Sequence, residues 1–148
     1  MEEVKKLVEG LLNSDNKQAY QCLKQLESES NLSAEVYQFF DIFVEMLSNT
    51  NSYIRTRGII LIAANAKWDV DHKIDEIIDL YLKHITDDKP ITARQCIKVL
   101  PSIVRYKPDL KLEIENALHR TNPTRYKDSM QLLVLKDIQK ALGDIQKL

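Results

Sequence analysis

Tyr20-Gln21-Cys22-Leu23-Lys24-Gln25-Leu26 is echoed 74 residues later by Arg94-Gln95-Cys96-Ile97-Lys98-Val99-Leu100. Seventy-four is twice 37. A step of 37 from Tyr20 lands on Arg57, which opens Gly58-Ile59-Ile60-Leu61, and a step of 36 from Arg94 lands on Met130, which opens Gln131-Leu132-Leu133-Val134-Leu135. One unit of about 37 residues is thus written four times. A fixed period in this range marks stacked repeats, in which each unit buries its apolar face only against its neighbours. Such an architecture presents a surface rather than a reaction pocket.

Within each unit the apolar spacing predicts two helices, A then B. Val4, Leu7, Val8 and Leu11 place the first A helix near 2–13, and Ala19, Cys22, Leu23 and Leu26 place its B helix near 16–29. The second pair is expected near 34–48, capped by Ser33, and near 52–67. The 52–67 segment is apolar around most of its circumference, so it should be central. The third pair covers about 71–86 and then the helix opened by Pro90; Pro101 inside that helix removes a bond to the Ile97 carbonyl and predicts a bend. The fourth covers about 109–119 and 124–147, with Asn122-Pro123 as cap and first turn. The expected repeats are 2–32, 33–69, 70–107 and 108–147, forming one all-α domain over 1–148.

With 44% hydrophobic and 29% charged residues and a net charge of −1, no global charge draws this chain to nucleic acid or membrane. No apolar run approaches the roughly 20 residues of a membrane span. Met1-Glu2-Glu3-Val4-Lys5-Lys6 lacks an apolar signal core, and the expectation is a cytoplasmic protein. Cys22 and Cys96 hold the same slot in the first and third repeats and read as small core residues. His72, His84 and His119 are scattered, and no metal-ligand spacing, phosphate loop or nucleophile elbow is present. No catalytic residue, cofactor or metal is expected.

The turn Asn51-Ser52-Tyr53-Ile54-Arg55-Thr56-Arg57-Gly58 resembles the HEAT-repeat signature: a polar turn, an aliphatic-Arg pair opening helix B, then small residues. Asp87-Asp88-Lys89-Pro90-Ile91-Thr92-Ala93-Arg94 and Asn122-Pro123-Thr124-Arg125 are similar. The first repeat departs from the pattern, with Lys17 and Gln18 where the aliphatic-Arg pair should stand. The resemblance, to the armadillo-like HEAT superfamily, covers about residues 2–145. It implies a right-handed α-α superhelix of four antiparallel helix pairs, A helices convex and B helices concave. It also implies a ladder in which Arg55 and Arg94 pair with Asp15, Asp87 or Asp88.

Charge is segregated along the expected helices. The A helices carry thirteen acidic against five basic side chains, net −8, and the B helices thirteen basic against five acidic, net +8. On the third B helix Gln95, Lys98, Ser102 and Arg105 recur at helical spacing opposite Ile97, Leu100 and Val104. The matching slots are Gln21, Lys24 and Ser28 in the first repeat, Gly58, Leu61, Asn65 and Trp68 in the second beside Arg57, and Gln131, Val134, Ile138 and Ala141 in the fourth. Apolar slots among basic ones suit a protein groove. The expected function is therefore a non-enzymatic interaction or scaffold module that binds an acidic partner segment on the B-helix face. Three other readings stand beside it: a solvated face that binds nothing, a nucleic-acid-backbone module, and self-association through the end helices. DNA-alkylation-repair glycosylases share the implied shape but are longer, and their catalytic residues have no match here.

Overall fold

The computed structural model describes residues 2–148. Among them are eight α-helices and no strand: α1 (Glu2–Gly10), α2 (Asn16–Leu32), α3 (Phe40–Met46), α4 (Ser52–Ala64), α5 (Lys73–Leu82), α6 (Pro90–Tyr106), α7 (Lys111–Arg120) and α8 (Asp128–Gln146). Short 3-10 turns lead into α3 (Val36–Phe39) and α7 (Pro108–Leu110), follow α4 (Ala66–Trp68) and α5 (Lys83–Thr86), and stand before α8 (Pro123–Arg125). The all-α class is the one expected. The chain forms two compact units, one ending at Asp71 and the other beginning at His72.

Local chemistry explains the helix starts. The Asp15 carboxylate accepts from the amides of Lys17 and Gln18 and caps α2, and the Asn51 side chain accepts from Tyr53 and caps α4. Pro90 takes the first position of α6, where its missing N–H costs nothing, and α6 continues through Pro101. The fourth B helix starts later than its periodicity implied. Asn122 caps only the turn Pro123–Arg125, Tyr126 is extended, and α8 begins at Asp128. Tyr126 turns inward there, its hydroxyl donating to the Asp87 carbonyl; its burial pushes that hydroxyl up to about 12.

In the first unit α1 packs on α2, α3 on α4, and α2 on α4. Arg57, early in α4, reaches the Leu11 carbonyl and Asn16 at the head of α2, while Asn65 and Trp68, past the end of α4, reach Ser30 near the end of α2. The contacts advance together, so α2 and α4 run parallel. In the second unit Lys107, past the end of α6, meets Asp75 at the start of α5 at 2.6 Å, which makes that pair antiparallel. Tyr126 bonds to Asp87 and Arg94 to Asp137, so α6 and α8 run parallel. These long-range side-chain bonds join residues 32 to 46 apart, a range that brackets the period of about 37.

Helix α4 is the buried element its composition implied, with Ile59, Leu61 and Ile62 fully enclosed. Its approach to α3 depends on Gly58. A Cβ there would lie 2.8 Å from the Phe43 carbonyl oxygen and 3.0 Å from Met46 Cβ, and neither atom can rotate away. Gly58→Ala should therefore destabilise the protein by about 1–3 kcal/mol through overpacking, even though alanine is the better helix former by about 1 kcal/mol. Gly143, whose added Cβ would meet nothing within 4 Å, supplies the matched control. Thermal unfolding should show Gly58→Ala melting below wild type and Gly143→Ala at or above it; equal melting of the two variants would refute the packing argument.

Candidate basic face

The second unit carries the best-formed basic surface. Lys98, Ser102 and Arg105 are exposed along α6, and Gln95 is half-buried at its flank. The guanidinium of Arg105 lies 5.7 Å from the ring centroid of Tyr106, which is 43% exposed. In the first unit Gln21 and Lys24 are exposed on α2, as expected. Lys24 sits 3.4 Å from Glu27 and over the Tyr20 ring. The Glu27 carboxylate, with a smaller contribution from Tyr20, holds the Lys24 ammonium above its ordinary pKa.

The second-repeat slots Leu61 and Asn65, expected on the same face, are core instead, as is Arg57 beside them. Leu61 and Asn65 have no exposed surface, and Arg57 is 5% exposed. Arg57 donates to the Leu11 carbonyl at 2.8 Å and to Asn16 Oδ1 at 3.0 Å, and its burial draws the guanidinium below its usual pKa. Trp68 is half-buried, with its indole N–H donating to the Ser30 carbonyl at 2.7 Å. Gln131 is also committed, its amide donating to the Tyr126 carbonyl at 2.7 Å and holding the turn before α8. The misplacement has a simple cause. Slots matched by a fixed period inherit the direction of the template helix, but α4 buries more of its circumference than α6 does, so the same slot faces inward there.

The ladder is rewired as well. Arg94 pairs with Asp137 of α8 through Nε to Oδ2 at 2.6 Å and Nη2 to Oδ1 at 3.4 Å, rather than with Asp15, Asp87 or Asp88. The hydrogen bond to Asp137 raises the Arg94 pKa. Because α6 and α8 are parallel neighbours, a side chain one turn into α6 meets the next B helix before it meets a turn. Asp15 caps α2, and Asp87 accepts from the Lys89 amide and lies 2.9 Å from His84 Nδ1. Asp88 is exposed on the turn before α6. Arg55 donates to the carbonyls of Asn49 and Thr50 and so braces the turn before α4.

Sequence reasoning counted the lysines of α8 in the B-helix charge but left them out of the candidate stripe. Lys136 and Lys140 are exposed one residue before and three after Asp137, and Lys147 follows at the helix end. The Arg94–Asp137 bridge therefore lies between two basic rows. Both sides of that pairing are visible in the sequence as Lys98 and Lys140, Arg105 and Lys147, each pair 42 residues apart.

The remaining chemistry is sparse. Cys96 is buried, its thiol pushed up by burial, and Cys22 is half-buried; both are free thiols. Among the described residues no three His, Cys, Asp or Glu side chains group as metal ligands, and no helix is long and apolar enough to cross a membrane. A cleft of about 510 Å³ opens between residues 79–86 and 113–122, but its rim mixes Asp79 and Glu113 with Lys83 and Arg120, so it favours neither sign of ligand. No protein-family model, curated protein or solved structure matches the chain.

Proposed function

We propose that this chain is a HEAT-like α-solenoid module, non-enzymatic and cytoplasmic, that binds an acidic protein segment on the face of its B helices. The observation that carries the reading is the exposed row of Lys98 and Arg105 on α6, beside the lysines of α8, with the nearby acid Asp137 already committed to Arg94. Exposed cations of this kind attract an acidic partner and set its encounter rate and orientation. The parallel B helices within each unit, cross-linked at the repeat spacing, support the solenoid part of the reading.

The exposed Tyr106 beside Arg105 favours a second reading, nucleic-acid-backbone binding, because a base can stack on such a ring while the cation meets phosphate. A pull-down from native lysate, with and without nuclease, separates the two. Capture of an acidic protein that survives nuclease and falls at least tenfold with Lys98→Glu/Arg105→Glu is the expected result. Both side chains are exposed, so the variant should melt with wild type. Nuclease-sensitive capture would transfer the site to nucleic acid, and identical capture by wild type and variant would remove it.

A further inference from the structure

We infer that the occupant of the α6–α8 face is an acidic amphipathic helix of a partner protein, an inference that rests on the protein-binding reading above. Two rows of side chains share one pattern. On α6, Ile91, Lys98 and Arg105 follow one another at intervals of seven; on α8, Leu133, Lys140 and Lys147 do the same. The Arg94–Asp137 bridge joins residues 43 apart in sequence, and the two rows are offset by 42, so they stand in register as three levels: Ile91 with Leu133, Lys98 with Lys140, and Arg105 with Lys147. Lys98 is one turn beyond Arg94 and Lys140 one turn beyond Asp137, which places both rows along the bridged seam. Ile91 is 67% exposed, Leu133 is half-buried, and all four cations are exposed. Lys140 is shared with Asp144 at 3.0 Å, both on the surface, where such a pair is weak. The seam is therefore apolar at one end and cationic over the other two levels.

The spacing chooses the occupant. Successive levels are about 10 Å apart along the helix axes. An extended strand covers that in about three residues, and an odd step turns alternate side chains away from the seam. A helix returns the same face every seven residues, with an apolar residue at one level and carboxylates at the next two. Its diameter of about 10–12 Å also spans two rows carried by helices packed about 8–10 Å apart.

Fluorescence anisotropy on the full chain tests this with defined probes. The first is a labelled helical peptide of about 18 residues with Leu, Glu and Glu at intervals of seven. The others are a flexible Gly/Ser/Glu peptide of equal charge, a proline-rich peptide with Glu at every third residue, and a single-stranded oligothymidylate. The helical probe should bind at least tenfold tighter than the other three. Lys98→Glu/Lys140→Glu should lose at least tenfold, and changing only the probe Glu that faces this level to Lys, with the Glu facing Arg105 and Lys147 kept, should restore binding to that variant. Equal binding of the flexible or proline-rich acidic probe would overturn the helical occupant and leave the protein-binding reading standing. Preference for the oligothymidylate, or no binding by any acidic probe, would overturn both.

Discussion

Asn65→Asp should destabilise the protein by roughly 3 kcal/mol or more at pH 7 and by much less near pH 4. Asn65 is fully buried past the end of α4; its amide nitrogen donates to the Leu61 carbonyl at 2.9 Å and to Ser30 Oγ at 3.2 Å, while Oδ1 has no partner. Ser30 already donates its hydroxyl to the Leu26 carbonyl at 2.7 Å. An ionised aspartate would therefore set its charge against the Leu61 carbonyl and the Ser30 oxygen, to which the Asn65 amide now donates. Burial disfavours the charged form, so the folded pKa of this carboxyl must rise above its unfolded value of about 3.9. Below that value the acid is neutral in both states, and its O–H can replace one of the lost amide bonds. Above it, the cost grows by about 1.4 kcal/mol per pH unit until the folded pKa is passed. Denaturant unfolding at pH 4 and pH 7, each referred to wild type, reads the difference directly, with Asn65→Ala as the variant that should show none. A pH-independent loss in Asn65→Asp would mean that the site is wetter than its burial implies.

Arg57→Ala should cost about 2–4 kcal/mol, from two charge-assisted hydrogen bonds and the buried stem of the side chain. The guanidinium reaches the Leu11 carbonyl and Asn16 across the turn between α1 and α2, so its removal strands that carbonyl and loosens the link to α4. Arg57→Lys should recover only part of the loss, because one ammonium cannot reproduce the planar fork that serves both acceptors. The same series tests where the binding face ends. If Arg57 belongs to the core, Arg57→Lys should capture partners as well as wild type, whereas Lys98→Glu/Arg105→Glu captures less at unchanged stability. The opposite outcome, normal melting with lost capture in Arg57→Lys, would return Arg57 to the binding face.

Particular residues show what could be read early. Asn122 was legible as a cap residue and Pro90 as the first residue of a helix, because capping is settled within a few residues of the chain. Buried α4 was legible because a helix apolar all round has no solvent face to offer. Leu61, Asn65 and Arg57 were misjudged as surface because hydrophobicity gives a helix's period but not how many neighbours surround it. Arg57 is the clearest example: a charged residue next to a turn reads as exposed, and only the Leu11 carbonyl and Asn16, 46 and 41 residues away, make its burial tolerable.

By itself, the sequence of this protein determined the helical class, the order of the helices and the period of about 37, because these follow from local hydrogen bonding and from spacing along one chain. The tertiary structure alone decided which polar residues are enclosed, that Arg94 is answered by Asp137, and that the rows of Lys98 and Lys140 stand side by side. Those outcomes depend on the direction and register of helices packed about 40 residues apart in sequence, where burial and partner geometry, not residue type, set whether a charge is core or surface.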